Sequence, residues 1–472
     1  LLAVRVTMTQ KTLRRSLRRL SFSAPVALAL TAAMAAPAWA QDPPPSRCSD
    51  DGSLPQSSAA ARDAALLETG SDDPRAQLQE MVQRALNRSK SIGASRLLAQ
   101  AAEADLAEAK AQRLPTVNLG ITGAHVGSVV PGEGPGGRSS GLQGRGSLSV
   151  TAPLYDSGRI TKLTEWRAQL ADAARFSQNS AEEQVALQTV SLALDRGRYQ
   201  LQAQVYTQYT RKMACLVEAL EIITKADRGR ASELVQAQKS LQQADLSYEQ
   251  TVSALRQTEV RLRRYVGDEL PRPAAMSSVL ARLPDLNEAL ADVLLSADVS
   301  QASATAQAQR SYAESVRAGQ QPSVSLLVQG NATVGQAKQN DWIGGVQVNI
   351  PIVQPGADSA LNSARRRAQA ASMQRDDTIE AKRYRVQEMF EAAQSSLDRS
   401  RRIVDILRNS DRVRGFTLQQ WQQLGKRSLF DVMAAEGDYY SMRVAHVNAL
   451  YDAQQVVAII WSQGRGVVTP LR

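Results

Sequence analysis

The sequence predicts a mainly α-helical protein with a small β part, in which long paired helices carry four strands per chain. Three observations predict it. Two tracts of more than a hundred residues, between Pro153 and Pro271 and between Pro355 and Pro470, contain no proline. Each is broken once, at Asp227-Arg228-Gly229-Arg230 and at Leu424-Gly425-Lys426-Arg427-Ser428. A helix stopped by glycine and resumed by an amphipathic run makes a hairpin, with its tip near Gly229 in one half and Gly425 in the other. Short runs of alternating apolar and polar residues precede both tracts. Finally, Pro153 and Pro351, Gly158 and Gly356, and Ala237-Gln238 and Ala435-Glu436 all match at an offset of 198 residues, the mark of an internal duplication.

Taken in order, residues 1–40 read as a secretory signal peptide. Lys11 to Arg19 is basic, Phe22 to Ala36 is a short apolar stretch, and Ala38-Trp39-Ala40 is a small-residue cleavage site. Residues 41–73, rich in Pro, Ser, Asp and Ala, form an irregular lead-in. The first structural repeat occupies 74–270. It opens on a helix marked by Leu78, Met81, Val82, Ala85 and Leu86, which Leu114-Pro115 stops. Strands are predicted at about 115–126 and 146–155. There Val117, Leu119 and Ile121, then Leu148, Val150, Ala152 and Leu154, alternate with polar residues. The Gly-rich segment Gly127–Gly146 is expected to be a loop, and the helical hairpin follows. Pro271, Pro273 and Pro284 bracket a connector at 271–285. The second repeat, 286–464, has a helix over Leu286–Arg317, strands at about 323–334 and 342–352, and its own hairpin; 465–472 is a C-terminal tail.

These lengths set a geometry. Each half holds a helix of about 32–40 residues before its strands, one of about 70 after them and one of about 36 beyond the break, or roughly 55, 100 and 55 Å. Two short helices stacked end to end match the long one, so two such sets make a cylinder about 100 Å long. Heptad seams run along the post-break helices: Leu234, Ala237, Leu241, Ala244, Tyr248, Leu255 and Leu262 in one, and Val432, Ala435, Tyr439, Met442, Ala449, Ala453, Val456 and Ile460 in the other.

The strands pose a different problem. No 18-residue apolar run follows the signal, so a helical membrane span is not expected. Ten-residue alternating strands fit an outer-membrane barrel, apolar outwards and polar towards the lumen. Four strands cannot close, and in lipid an open edge leaves backbone groups unsatisfied. Several chains must then share a barrel; two copies give eight strands with a filled interior, three give twelve and a pore. The alternative is a small soluble sheet packed on the helices.

Composition narrows the chemistry. The formal charge of +10 comes from 56 basic and 46 acidic residues, but residues 1–40 hold Arg5, Lys11, Arg14, Arg15, Arg18 and Arg19 and no acid. The remainder is +4, which makes no case for nucleic acid. The two histidines, His125 and His446, have no Cys or carboxylate cluster at ligand spacing. Gly425-Lys426 lacks the earlier glycine and following hydroxyl of a phosphate loop, and there is no G-x-S-x-G elbow. No enzyme, cofactor or metal is expected. Cys48 lacks the apolar-small-small-Cys context of a lipid anchor; Cys215 reads as a buried small residue, and their pairing stays open.

The duplicated helix-strand-strand-helix-helix order carries a resemblance. So do the Leu114-Pro115 stop, Val150-Thr151-Ala152-Pro153-Leu154-Tyr155 before Gly158, and Gly425-Lys426-Arg427-Ser428-Leu429-Phe430-Asp431-Val432. From about Pro74 to Gly464 the chain resembles the TolC family of outer-membrane channels. That resemblance implies a homotrimer whose strands complete a shared twelve-stranded transmembrane β-barrel in outer-membrane lipid, above a periplasmic tunnel of twelve helices. It implies as partners a periplasmic adaptor (membrane-fusion) protein and an inner-membrane transporter. It also implies a periplasmic gate. By position, Asp431 is the acid that rings the narrow end, Arg427 the base that latches the tip helices, and Glu233, at the 198 offset from Asp431, the acidic partner in the first half. Ala434 stands where members often carry a second acid, and Gln422 where they carry an aromatic. Without the resemblance, Arg427 and Asp431 are an exposed i,i+4 pair contributing about 0.3–0.5 kcal/mol.

The function expected is a passive exit duct. The missing lipid-anchor cysteine and the long lead-in lean towards type I secretion, in which an ABC transporter–adaptor complex passes an unfolded protein cargo, a toxin of the cyclolysin or haemolysin type. One alternative is the outer-membrane duct of a small-molecule or drug efflux pump. A second is a periplasmic coiled-coil scaffold with no pore.

Overall fold

Two helices of equal length set the frame: α3 (Arg159–Ala226) and α7 (Ala357–Leu424), 68 residues each and roughly 100 Å long. Their starts lie 198 residues apart. Each follows a glycine at φ +84, Gly158 and Gly356, a left-handed turn that swings the chain from strand into helix. Asp156 caps the first of them, its carboxylate accepting from the Gly158 and Ile160 amides. This computed structural model describes residues 73–129, 138–272, 276–335, 338–424 and 427–471; the signal peptide, the lead-in up to residue 72 and the Gly425 tip lie outside the described residues.

The shorter helices pack along these two. Above the middle, α2 (Lys90–Ala111) lies on α3, and α6 (Ala297–Ala318) lies on both α3 and α7. Below it, α4 (Ala231–Val266) runs back along α3, and α8 (Leu429–Ser462) runs between α3 and α7. The neighbours therefore follow one another as α2–α3–α6–α7 in the upper part and α4–α3–α8–α7 in the lower. The single helices expected before the strands are each in two pieces. α1 (Pro74–Arg88) is separated from α2 at Ser89, and α5 (Leu286–Asp292), with a short 3-10 turn, from α6 at Ser296. Both serines are extended residues at a helix N-terminus, and they lie 207 residues apart.

At this middle level the largest core forms. Leu78 and Met81 of α1, Val190 and Leu194 of α3, Leu262 of α4, and Tyr451, Val457 and Ile460 of α8 are buried together. The connector contributes Met276, Val279 and Leu280. The segment expected to be a tail contributes Val467 and Leu471, and the Val467 amide donates to Glu183 at 2.6 Å. Burial of two apolar side chains makes this segment part of the core. Arg196 and Glu259 join α3 to α4 in a buried ion pair at 2.9 Å, and Arg196 also donates to the Pro271 carbonyl. Cys215, expected to be buried, is half-buried; Cys48, the other cysteine of the sequence, lies outside the described residues.

One antiparallel sheet caps the upper end, in the order β1 (Thr116–Val129), β2 (Arg138–Tyr155), β3 (Ser323–Gly335), β4 (Gln339–Asn349). The Gly-rich stretch is shorter as a loop than expected, because Ser140–Gly146 pairs with Ile121–Gly127 and extends the first hairpin. Gly141, Gly144 and Gly146 are interspersed with Leu142, Gln143 and Arg145, and the ladder runs through them because backbone pairing needs no side chain at every position. β4, by contrast, stops at Asn349, short of the expected residue 352. The register puts Val117 opposite Val150, Leu119 opposite Leu148, Val150 opposite Val328, and Leu326 opposite Val346. One face is therefore apolar, and it is open: Leu119, Val150, Val328 and Val348 all retain solvent exposure. Among the described residues no helix is long and apolar enough to cross a membrane.

Tyr451 is fully buried where α8 crosses α3, over Gly197; a Cβ on that glycine would lie 2.8 Å from the Tyr451 hydroxyl. The hydroxyl has no hydrogen-bond partner. Tyr451→Ala is expected to cost about 3–5 kcal/mol of unfolding free energy. Tyr451→Phe removes an unmet polar group and is expected to leave stability within about 1 kcal/mol of the parent, or to raise it. Denaturant titration of the detergent-solubilised protein checks both.

Candidate functional site

The lower ends of the helices form two tips held by local capping. In the first half Asp227 accepts from the Gly229 amide at 2.9 Å, closing a 3-10 turn, Arg228–Arg230, between α3 and α4. In the second, Ser428 and Asp431 form a reciprocal capping box at the start of α8, with both bonds at 3.3 Å. Arg427 sits beside it, its guanidinium 3.8 Å from the Asp431 carboxylate and 3.2 Å from Gln420. Both members of the pair are about half exposed. Glu233 occupies the first turn of α4, the position equivalent to Asp431 in α8. Within one chain no ion pair joins it to Arg427 among the described residues, and one of its carboxylate oxygens is buried without a hydrogen bond. Gly229 is in place at its tip; the Gly425 position lies outside the described residues.

Just above the tips a small core closes: Met213, Leu216, Val217 and Leu220 of α3 against Ala237 and Ala244 of α4 and Leu429, Val432 and Met433 of α8. Next along α8 comes Glu436, 1% exposed, where three helices meet. Lys212 of α3 lies 3.7 Å from one of its oxygens and Arg414 of α7 lies 3.6 Å from the other. These are ion-pair distances, too long for good hydrogen bonds, and one oxygen of Glu436 has no hydrogen bond at all. Tyr209 and Tyr440 stack at 5.0 Å beside it, and the Arg414 guanidinium lies 4.2 Å over the Tyr439 ring. Burial raises the Glu436 carboxyl above the usual carboxylate range, against the opposing pull of Lys212 and Arg414.

The whole of this architecture has relatives. Residues 81–268 and 277–460 match the family model described as outer membrane efflux protein, once for each half. The chain belongs to the outer membrane efflux protein family. No curated protein is a significant match by sequence. Among solved structures, CusC, described in terms of folding and transmembrane channel formation, superposes with a TM-score of 0.72 at 18% identity, covering 84% of this chain and 92% of that one. The CmeC outer membrane channel of Campylobacter jejuni gives 0.71 at 16% identity over 84% and 89% of the two chains. The outer membrane protein VceC of Vibrio cholerae gives 0.70 at 17% over 82% and 96%. At these identities the likeness is one of fold.

As an outer membrane efflux protein, the chain is an outer-membrane channel component with its helices as a periplasmic tunnel. Channels of this type are trimers that work with adaptor and inner-membrane transporters. The Glu436 cluster was missed in the sequence because its members are far apart, at 212, 414 and 436. The available signal was a carboxylate directly after Ala435 on an otherwise small and apolar seam.

Glu436 also gives the protein a pH signature. A carboxyl whose folded pKa lies above its unfolded value binds a proton more readily when folded, so stability falls as pH rises from the unfolded value towards the folded one. The wild-type chain is expected to lose stability over that window relative to Glu436→Gln, which lacks the group. Paired melting curves from about pH 4 to 8 check the slope; parallel pH profiles would contradict it.

Proposed function

We propose that three copies of this chain form the outer-membrane exit duct of a small-molecule efflux pump, fed through an adaptor by an inner-membrane transporter. The observation that carries the reading is the match of both halves to the outer membrane efflux protein model. The physical support is the sheet. Its apolar face suits lipid, its polar face, with Asn331 bonded to Asp341 at 2.8 Å, suits a wet lumen, and four strands need others to close. The protein-export reading, with an ABC transporter behind it, leans on the missing lipid-anchor cysteine context and on the lead-in, and most of that lead-in lies outside the described residues. Deleting the gene tests the two. Several-fold higher retention of a fluorescent efflux substrate, with an unchanged set of secreted proteins, is the expected outcome. Loss of one large secreted protein with normal dye retention would instead identify a protein-export duct.

On this reading the tips are the gate. Three Asp431 carboxylates brought to one axis repel one another, and Arg427 offsets that repulsion within each chain. The tie is an exposed i,i+4 pair, about 0.3–0.5 kcal/mol per chain. Arg427→Ala is therefore expected to raise open probability or conductance in planar bilayers without unfolding the trimer. Conductance equal to that of the parent would leave Arg427 and Asp431 as a surface pair and nothing more.

A further inference from the structure

Each of the two helix breaks, at Ser89 and at Ser296, opens into a cavity built in the same way. The N-terminus of an upper helix, α2 or α6, meets α3 and the end of a lower helix, α4 or α8. The walls of the first cavity, about 660 Å³, include Arg88, Lys90, Ser91, Gln184, Gln188 and Arg264. Val185, which also lines it, packs with Ala85 and Ile92 in a small buried cluster. The walls of the second, about 430 Å³, include Ser180, Glu183, Ser296, Asp298, Lys382 and Arg465.

The duplication makes the two cavities comparable residue by residue. Ahead of the strands the halves are offset by 207 residues (Lys90 to Ala297), and after them by 198 (Arg159 to Ala357). Arg88, Lys90 and Arg264 thus correspond to Leu295, Ala297 and Ser462, and Ser91 corresponds to Asp298. In the second cavity Asp298 stands in the first turn of α6, and its carboxylate accepts from Lys382 at 2.7 Å and from Ser180 at 2.5 Å. Negative charge is the favoured sign at a helix N-terminus, and there the chain provides it. α2 has no acid in its first turn, and no carboxylate lines its cavity. Three cations stand there instead, and among the described residues none of them is in an ion pair. Arg88 and Arg264 end α1 and α4, where a cation is favoured; Lys90 opens α2, where it is the disfavoured sign. Positive side chains gathered against a positive helix end, whose first amides have no partner within the helix, make an anion site.

We propose that the cavity at the α1–α2 break binds a phosphate group carried by a small soluble molecule, one per chain. Arg88, Lys90 and Arg264 bring charge from three helices, and the amides of Lys90 and Ser91 add donors along the α2 axis. Three cations exceed what a single carboxylate needs and suit a dianion. A membrane lipid is out of reach, because α2 has 22 residues and the sheet begins roughly 33 Å away. The site lies apart from the tips and the sheet, and it does not depend on what the duct carries. Bound there, the phosphate ties the end of α1, the start of α2 and the end of α4, and so fixes the break at Ser89.

Calorimetric titration of the full, detergent-solubilised chain with inorganic phosphate, in low-salt buffer at neutral pH, tests this. Saturable uptake of about one phosphate per chain is expected, with the melting temperature rising as phosphate is added. Lys90→Ala combined with Arg264→Gln should weaken uptake by at least about tenfold. Arg401→Gln, which removes an exposed cation of α7, should leave it unchanged. Ser91→Asp copies the second repeat. It should abolish uptake and raise the melting temperature in phosphate-free buffer, a gain that a misfolded variant cannot show. Uptake by Ser91→Asp equal to that of the parent would overturn the site. So would the absence of saturable uptake in a preparation that light scattering shows to be trimeric, the result expected if a neighbouring copy fills the cavity with a carboxylate. Equal weakening by Arg401→Gln would reduce the effect to general charge attraction and overturn it too. Acetate competing as strongly as sulfate would overturn the assignment to phosphate.

Discussion

No backbone amide or carbonyl can be left unpaired in hydrocarbon, and that requirement governs the rest of this molecule. A sheet in the simple order β1-β2-β3-β4 satisfies its interior strands and leaves two bare edges. Its apolar face is also uncovered by the chain's own helices. A soluble domain would answer both problems by folding a helix across the sheet. Here β2 leads into α3 through Gly158, β4 leads into α7 through a short irregular segment ending at Gly356, and the helices leave from the end of the sheet. The sheet face stays free for lipid and the edges for other strands.

The helices show the same distribution of covered and uncovered surface. α8, between α3 and α7, buries residues on more than one side, from Val432 and Met433 to Tyr451 and Gln454. α4 has a single long-helix neighbour and buries a narrower stripe through Ala237, Ala244, Leu255 and Leu262. Exposed apolar side chains concentrate on the helices at the two margins: Leu97 and Leu98 on α2, Val235, Leu246 and Val260 on α4, and Met373, Tyr384 and Phe416 on α7. Apart from Ile222 of α3 and Phe430 of α8, both near the tips, the central helices cover their large apolar side chains within the chain, and the marginal ones do not. That is the pattern of a segment cut from a closed wall rather than of a complete one.

Much of this was legible in the sequence, for identifiable reasons. Proline-free length, single glycine breaks and a constant offset are strong signals because helix geometry converts residue count directly into distance. The heptad positions Ala237, Leu255, Leu262, Ala449 and Ile460 are buried for the same reason. Local rules failed where tertiary partners decide. Gly141–Gly146 looks like loop by composition, yet its backbone pairs with β1, since a ladder needs no side chains. Residues 465–471 look like a tail because they are short, and Val467 and Leu471 are buried because they join the core at the middle level of the helices. Ser89 and Ser296 carried no sign of a break beyond their capping chemistry. At the tips, Asp431 was found from family position and Glu436 was not, because a site assembled from three helices has no spacing in one.

The contrast between those two acids bears on where a tip of this kind can yield. Asp431 is half exposed, and its bonds are to its own helix start and to Arg427, so it ties α8 to no other element. Glu436 lies five residues on, about 7.5 Å along the axis. It is buried between cations from α3 and α7 and flanked by the Tyr209–Tyr440 stack. Removing one partner from a buried charge group costs several kcal/mol, whereas an exposed pair contributes a few tenths. The energetic step between strong and weak anchoring therefore falls within about one and a half turns of helix. Motion confined to the residues before that step leaves the three-helix junction intact, and motion that includes it must strand a carboxylate already poorly hydrogen-bonded. The length of helix free to move is thus set by where the buried charge sits, more than by the glycine at the tip.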